Sequence, residues 1–276
     1  MANGNGLTLR KSVESLELST SGLNALRDAY GKMQALSADD NRSWMYMAGI
    51  HGFPQFQCWH GGRVGLSQGA LTYDLFLPWH RAYLLNFEHA AKDQHAGVSL
   101  PWWDWTSAGS QRIGVPASFS TRKIGKNSNP LASGPVPEVR SGRVPGLPAS
   151  PQRRTTRSPG DPSELPTADQ VNTVLALTDF VDFSQQLQDI HDQVHGWTGG
   201  RTGDMGTIVF AGFDPIFWAH HCMIDRLWYL WQLRHGVQNV PPDYMAKPLA
   251  PFALTVADVL DIHRLGYEYA QASSSH

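Results

Sequence analysis

Apolar residues recur at helical spacing in four segments of the chain, and the resulting stripes predict four helices. Residues three, four and seven apart fall on one side of a helix, where they can be buried together. The predicted helices cover about 41–50, 78–94, 180–194 and 215–234. We therefore expect an all-α core, arranged as an antiparallel four-helix bundle.

The ends of two predicted helices carry the residues that helix termini favour. Pro78 suits a first turn because its missing N–H would have no partner there, Asp214 can cap the last helix, and Gly236 can stop it. The segment Thr207–Phe210 could form a short strand, but no second strand pairs with it convincingly. The loops should therefore be long and irregular, with few or no strands.

The chain reads as one domain, residues 1–276, with a basic loop at about 107–165 between two helical blocks. From Ser107 to Gly160 there are eight of the eighteen prolines, and nine Lys or Arg residues against one acid, Glu138. Such a segment should be mostly irregular. It could be a solvated surface excursion, or it could gate a substrate or bind a partner.

Composition narrows the class of protein. The formal net charge of −2 argues against a nucleic-acid-binding surface, and two cysteines, Cys58 and Cys222, exclude a disulfide scaffold. No apolar run approaches the length of a membrane span, and Met1–Leu9 holds no secretory signal, so we expect a cytoplasmic or unassigned location without membrane contact. Twelve histidines in a chain short of charge direct attention to imidazole chemistry.

The second block holds a candidate three-histidine metal site. His191 and His195 are four residues apart and project from one helix face, which is the apolar face. His220 and His221 are adjacent, hence about 100° apart on a helix, and cannot both point at one ion. His221 lies on the stripe with Phe217 and is the candidate ligand, whereas His220 is a candidate for supporting the ligands or lining a pocket.

The first block holds a second set of three. His51 closes the first predicted helix, His60 follows in a loop, and His80 lies on a buried stripe, whereas His89 should face away from His80. Neither set includes a carboxylate, unlike the ligands of di-iron bundles. Imidazole-only sites suit copper, zinc, iron or nickel, and spacing does not choose among them.

Several stretches of this sequence resemble the type-3 dicopper family of tyrosinases, catechol oxidases and hemocyanins. The two copper-binding signatures of that family are similar to LFLPWHRAYLLNFEHA (75–90) and GFDPIFWAHHCMIDRLW (212–228). The family's paired-histidine helix is similar to IHDQVHGWTGG (190–200). Its Trp-rich stretch and its Tyr-x-Tyr close resemble PWWDWT (101–106) and LGYEYA (265–270), against which Arg10 would pack.

The resemblance implies two copper ions, with O₂ as co-substrate. CuA would be held by His51, His60 and His80. CuB would be held by His191, His195 and His221.

The resemblance also implies a possible covalent bond at Cys58. Cys58 and His60 have the Cys-x-His form that becomes a thioether in some relatives, although Cys58 could equally stay a plain thiol. The gap from His60 to His80 is longer here than in those relatives.

The implied reaction is oxidation of o-diphenols to o-quinones, by a short form without a C-terminal shielding domain. Ortho-hydroxylation of monophenols (tyrosinase activity) and oxidation of o-aminophenols are further options. The substrate is then a small phenol, and a copper-delivery partner stays open. Asp192 could serve as a base, or its charge could alter the choice of substrate. His220 would assist at the site, and Gly196 would leave the entrance open.

Four further residues have two interpretations each. Phe210 and Phe213 could form the pocket wall or ordinary core. Asp214 could support a ligand or simply cap a helix, and Asp225 could orient a ligand imidazole or pair with Arg226. One alternative function is a hemocyanin-like oxygen carrier, which would use the same histidines but shield them from phenols. A zinc hydrolase is a further alternative.

Overall fold

The computed structural model describes residues 6–52, 75–137, 151–237 and 242–271. Helices dominate, so the predicted all-α core is confirmed. The α-helices in these residues are, in chain order, α1 Val13–Glu17, α2 Thr20–Ala35, α3 Trp44–Gly49, α4 Phe76–Gln94, α5 Ser110–Ile113, α6 Ala117–Ser120, α7 Ala168–Leu175, α8 Phe180–Gly199, α9 Ile208–Ala211, α10 Pro215–His235 and α11 Pro242–Met245. None of them combines the length and apolar character needed to cross a bilayer.

The four predicted helices correspond to α3, α4, α8 and α10. The main difference in length is at the end of α8, which continues past Val194 to Gly199 and stops where Gly200 adopts a φ of 55°. Asp214 caps α10 through its side chain, and Gly236 ends it with a φ of 82°, as predicted. His89 is exposed on α4 while His80 is buried, as their spacing predicted.

Among the described helices of eight residues or more, two were not predicted. The 16-residue α2 packs against α4 and buries Leu26, Tyr30 and Met33, and the shorter α7 packs against α8. In α2 the stripe is interrupted by Gly22 and Gly31, residues with low helix propensity, so the periodic signal is weak there. Tertiary packing against α4 outweighs that propensity.

Strands are short, as expected. They are β1 Thr8–Arg10, β2 Lys123–Ile124, β3 Asn127–Ser128, β4 Pro135–Val136, β5 Arg153–Arg154 and β6 Tyr267–Tyr269. β1 and β6 pair in parallel and bring Arg10 opposite Tyr269, while β2–β3 and β4–β5 are antiparallel. The predicted strand at Thr207–Phe210 is wrong, because Thr207 instead precedes the helical turn α9.

Aromatic rings fill the interface between α4 and α10. Phe87 on α4 stacks on Trp218 of α10, and both are fully buried. The predicted stripes of these helices are buried in full, and His80 and His221 lie on those stripes. Their rings therefore stack across the interface, with centroids 4.3 Å apart.

The described part of the basic loop is irregular but packed on the body. Its helices and strands are four residues long or shorter. Phe119 and Leu131 are fully buried, and Arg157 forms a buried ion pair with Asp214 at the start of α10. Other residues of the segment, 120–128 and 151–154 among them, are exposed, so both interpretations of its role stay predictions.

Candidate metal centre

Three imidazoles meet between α8 and α10. The Nε2 atom of His221 lies 3.2 Å from the Nε2 atom of His191 and 3.2 Å from that of His195. Metal–nitrogen bonds of about 2.0 Å at tetrahedral angles place ligand nitrogens roughly 3.3 Å apart. The spacing therefore fits a single ion held by these three rings.

Hydrogen bonds fix the tautomer of two of these rings. The Nδ1 atom of His191 lies 2.9 Å from the Oδ1 atom of Asp192, and the Nδ1 atom of His195 lies 2.7 Å from the carbonyl oxygen of Met205. A ring that donates from Nδ1 presents an unprotonated Nε2. Both lone pairs are thereby directed to the place where the three Nε2 atoms converge.

His220 lies closer to this centre than the sequence indicated. Its ring stacks on that of His191, with centroids 5.2 Å apart, and one possible ligand atom from each of the four histidines falls within 4.8 Å of the others. Neither ring nitrogen of His220 makes a hydrogen bond of normal geometry to a described residue, although the backbone of His191 lies nearby. The Nδ1 atom of His221 also lacks such a partner.

The surroundings keep these imidazoles neutral. Burial, reinforced by neighbouring imidazoles, holds the pKa of His220 and of His221 well below its ordinary value. Burial also lowers the pKa of His195 to about 4, although its bond to Met205 acts in the opposite direction. Neutral rings have the lone pairs that metal binding requires.

The first histidine set adjoins the second. The Nδ1 atom of His51 lies 2.8 Å from the carbonyl oxygen of Ile208, and that of His80 lies 2.8 Å from the carbonyl oxygen of Phe76. The ring centroids of His51 and His80 are 5.6 Å apart. With His80 stacked on His221, five of the six predicted ligands lie in one buried cluster.

A glycine places His51 against α9. Gly52 has a φ of 85°, and a Cβ there would lie 2.8 Å from the carbonyl oxygen of Ile208, the same oxygen that accepts from His51. Only glycine allows this backbone conformation together with so close an approach. Cys58 and His60 lie outside the described residues, so the third CuA ligand and the thioether stay predictions.

The described partners of Asp214 and Asp225 are not the ligand imidazoles that these residues could have oriented. Asp214 accepts from the backbone N–H of Ile216 and binds Arg157, which confirms its capping role. Asp225 binds Arg81, with Nε and Oδ1 2.5 Å apart, in a fully buried ionic cluster.

The alternative pairing of Asp225 with Arg226 is wrong. The guanidinium of Arg226 instead lies over the ring of Trp102, 4.1 Å from its centroid. The sequence left such a surface pair open, but Asp225 is buried and its carboxylate contacts Arg81 and Arg10.

A cavity of about 280 Å³ opens onto the histidines. Its described lining comprises His51, His191, Asp192, His195, Gly196, Met205, Gly206, Ile208 and Ala211. Gly196 lies on this wall as expected, and a Cβ at its position would meet nothing within 4 Å. The two phenylalanines are not part of the described lining, because Phe213 is fully buried in the core and Phe210 faces Arg153.

Sequence reasoning missed the segment 205–211 as a cavity wall. It folds back over α8 and supplies two backbone carbonyls, those of Met205 and Ile208, to ligand imidazoles. A backbone carbonyl is present in every residue, so the sequence does not indicate which carbonyls accept hydrogen bonds from the imidazoles. The carbonyl of Phe76 is different, because it lies four residues before His80 on one helix and its position follows from helical spacing.

Comparison with known proteins decides the family. The family model described as the common central domain of tyrosinase matches residues 41–234. The chain belongs to the tyrosinase family. Membership implies a dicopper site, and the converging Nε2 atoms of the histidine cluster fit such a site.

The curated relatives that the chain resembles include hemocyanins and tyrosinases. Over 286 residues the chain is 31% identical to "Hemocyanin A-type, units Ode to Odg" of Enteroctopus dofleini, covering 96% of this chain and 22% of that protein. Over 184 residues it is 34% identical to a tyrosinase of Streptomyces lincolnensis, covering 60% of this chain and 66% of that protein. The chain thus spans about a fifth of the Enteroctopus hemocyanin.

Solved structures of the family agree with the fold. A functional unit from octopus hemocyanin matches with a TM-score of 0.73 at 27% identity, over 96% of this chain and 68% of that one. A tyrosinase from Burkholderia thailandensis matches with a TM-score of 0.78 at 24% identity, over 97% of this chain and 74% of that one. At 24% identity, the match to the Burkholderia tyrosinase shows a shared fold alone.

Proposed function

We propose that this member of the tyrosinase family is a copper-dependent oxidase that uses O₂ to convert small o-diphenols to o-quinones. The observation that carries the proposal is the cavity beside the histidines, which has His51, His191 and His195 on its wall. An oxygen carrier needs room only for O₂, whereas a cavity of about 280 Å³ has room for a phenol ring.

The histidine cluster would hold both copper ions. Three imidazoles converge at the CuB position, and His51 and His80 would serve CuA together with His60. When bound, the copper pair supplies the redox chemistry that couples oxidation of the phenol to reduction of O₂. The bonds from Nδ1 to Ile208 and Phe76 hold His51 and His80 in fixed orientations, so the ligand set is preorganised.

Gly196 would admit the substrate. It follows His195 directly in α8, a Cβ at its position would meet nothing within 4 Å, and both residues line the cavity. Ile208 and Ala211 supply apolar wall on which the flat face of a phenol ring can pack.

Asp192 would extend the reaction to monophenols by accepting the phenol proton. Its carboxylate lines the cavity while Oδ1 accepts from His191, which leaves the second oxygen available. Partial burial, then the charge of Asp189, raises the pKa of Asp192, which strengthens it as a base. Asp192→Asn should therefore reduce monophenol hydroxylation by at least about tenfold relative to catechol oxidation.

The decisive experiment adds three substrates to the copper-loaded chain in air: catechol, a monophenol and an o-aminophenol. Steady formation of o-quinone from catechol supports the oxidase. Reversible O₂ uptake without quinone would favour a hemocyanin-like carrier, and turnover of the o-aminophenol alone would favour an aminophenol oxidase. Separate metal analysis of the protein as purified, before copper is added, that finds two zinc ions and no copper would reject the copper oxidase and the carrier alike.

A blocking variant tests the cavity itself. Gly196→Phe should lower catechol oxidation by at least about tenfold by filling the space beside His195 while leaving copper content unchanged, since that glycine makes no ligand contact. Gln185→Phe, at an exposed position of the same helix, is the matched control and should keep full activity. Equal activity of all three proteins would show that phenols do not enter through this cavity.

A further inference from the structure

A second, larger cavity lies in the basic segment, away from the histidines. Its volume is about 520 Å³, and no residue of its described lining is shared with the histidine cavity. That lining comprises Val115, Ser120, Arg122, Lys123, Ser128, Asn129, Ala132, Ser133, Arg154, Thr155, Thr156, Arg157 and Pro159. The size lies in the range of small-molecule pockets.

The charge of this wall is one-sided. It includes four basic side chains, and no Asp or Glu belongs to its described lining. Arg157 is neutralised by Asp214. The other three, Arg122, Lys123 and Arg154, form no ion pair with any described carboxylate, so three positive charges surround one cavity without a counter-charge.

Arg154 is held in place by neutral acceptors. Its Nε donates to the Oγ atom of Ser133 at 2.8 Å, and its Nη2 donates to the Oε1 atom of Gln34 at 2.9 Å and to the carbonyl oxygen of Ser133. Burial lowers the pKa of the guanidinium, and no acidic group acts in the opposite direction. The cation is thus oriented before any anion arrives, which reduces the entropy lost on binding.

The hairpin β2–β3 supplies the other two charges. Lys123 pairs across the hairpin with Ser128, and the Asn129 N–H donates to the carbonyl oxygen of Arg122 at 2.9 Å. Gly125, with a φ of 59°, permits the tight turn between the strands. The hairpin therefore contributes Arg122, Lys123 and Ser128 to the lining of the cavity.

Apolar side chains complete the wall. Val115, Ala132 and Pro159 line the same cavity, and Val115 is buried. An inorganic ion would leave this apolar part unused, whereas an anion that carries an apolar ring can pack on it.

We propose that this cavity is a binding site for a small organic anion, a phosphate or carboxylate attached to an apolar ring. Arg154, Arg122 and Lys123 bind the charged group, and Val115, Ala132 and Pro159 contact the ring. The site is independent of the proposed oxidase reaction because it shares no lining residue with the histidine cavity.

Calorimetric titration of the copper-loaded full chain with phenyl phosphate at low ionic strength tests the site. One saturable site is expected, with inorganic phosphate weaker and uncharged benzyl alcohol without detectable binding. Arg154→Gln, and separately the double variant Arg122→Gln/Lys123→Gln, should each weaken binding by about tenfold or more, as expected for the loss of a charge-assisted contact.

The matched control is Lys126→Gln. Lys126 is exposed in the turn of the same hairpin but does not line the cavity, and its replacement changes the net charge as Arg154→Gln does. It should keep the affinity within about twofold.

Three outcomes would overturn the proposal. The first is no saturable binding of phenyl phosphate, and the second is an equal loss in the Lys126→Gln control, which would indicate a diffuse field. The third is binding that survives Arg154→Gln but is lost in Gly196→Phe, which would place the phosphate at the histidines. Arg157 is left unchanged throughout because its partner Asp214 caps α10.

Discussion

The helix α10 contributes to two buried polar clusters that differ in how their polar atoms are satisfied. The histidine cluster consists of His51, His80, His191, His195, His220 and His221. The ionic cluster consists of Arg10, Arg81, Glu88, Asp225, Tyr267 and Tyr269. The two clusters meet along the chain, since Arg81 follows His80 and Asp225 lies one turn after His221.

In the ionic cluster the carboxylates are fully engaged. Asp225 Oδ2 accepts from the hydroxyls of Tyr267 and Tyr269 at 2.8 and 2.5 Å, and Oδ1 accepts from Arg81. Glu88 accepts from two guanidinium nitrogens of Arg10, at 3.2 and 3.1 Å, and from the backbone N–H of Leu100 at 2.9 Å. The Arg10 guanidinium also lies 3.7 Å from the ring centroid of Tyr267.

In the histidine cluster, nitrogens face nitrogens. The Nε2 atoms of His191 and His195 present lone pairs towards the Nε2 atom of His221, and neither ring nitrogen of His220 makes a regular hydrogen bond to a described residue. Buried polar atoms are normally paired, and unpaired ones call for an explanation. The ionic cluster stabilises the fold, whereas the histidine cluster, in which His220 lacks regular partners and three Nε2 atoms converge, is shaped for a ligand that the chain does not itself provide.

The largest effect is expected from His221→Ala, which tests whether the histidine cluster binds metal. We expect loss of one copper ion per chain and a fall in oxidase activity by more than the roughly 100-fold that loss of a supporting partner costs. The reason is that the Nε2 atom of His221 faces both other CuB imidazoles. Metal content by elemental analysis and catechol turnover measure the two effects.

The matched variant is His220→Ala on the neighbouring residue. If His220 supports the site without binding the ion, this variant keeps two copper ions and loses less activity. Two copper ions in His221→Ala together with one in His220→Ala would show that the ligand assignment is reversed.

A large effect on stability is expected from Asp225→Asn. The change removes a charge that is buried against Arg81 and Arg10, and it leaves Arg81 without its counter-charge while Arg10 keeps Glu88. Breaking a buried ion pair costs about 3–5 kcal/mol of unfolding free energy. Urea unfolding measures it, with Asp93→Asn, an exposed position on α4, expected within about 0.5 kcal/mol of the unchanged chain.

Metal content separates the clusters further. Asp225→Asn protein that remains folded should keep two copper ions, because Asp225 contacts the arginines and tyrosines of the ionic cluster. Copper loss equal to that of His221→Ala would mean that the two clusters do not act separately.

Acid should act on the ionic cluster at low pH. Burial opposes the ionisation of both Asp225 and Glu88. The positive charges of Arg81 and Arg10 outweigh burial at Asp225, so the pKa of that carboxyl is lowered. Arg10 does the same at Glu88, whose pKa is also lowered. Their contribution is therefore complete above the unfolded-chain values of about 4 and is lost as pH falls through the folded values.

The measurement is urea unfolding at a series of pH values from 7 to 3. The unfolding free energy should decline below about pH 4, and the gap between the unchanged chain and Asp225→Asn should narrow there. A gap that stays constant down to pH 3 would contradict the role of the ionised Asp225.

The sequence predicted local features well. The stripes of α4 and α10, the caps Asp214 and Gly236, and the shared face of His191 and His195 all follow from helical periodicity, which depends on near neighbours alone. The packing of Arg10 against the Tyr-x-Tyr segment came from the resemblance and is confirmed by the parallel pairing of β1 with β6.

Features that depend on distant contacts were not predictable in the same way. From the sequence alone, Asp225 could be a surface residue or the partner of a ligand imidazole. Its actual partners, Arg81 and Arg10, are distant in sequence and are brought beside it by the fold. The wall formed by Met205 and Ile208 depends on how the segment 205–211 folds back over α8. The position of His220 depends on the packing of α8 on α10, which periodicity along one helix does not contain.

The smallest predicted effect comes from Tyr269→Phe, which removes one hydroxyl from the ionic cluster. That hydroxyl donates to Asp225 at 2.5 Å and accepts from Arg10 at 3.0 Å. A hydrogen bond to a charged group contributes about 1.5–3 kcal/mol, and Asp225 keeps Tyr267 and two arginines, so a loss of about 1–2 kcal/mol is expected. Urea unfolding measures it, and copper content should not change. A loss as large as that of Asp225→Asn would show that the hydroxyl, rather than the ion pairs, holds the cluster together.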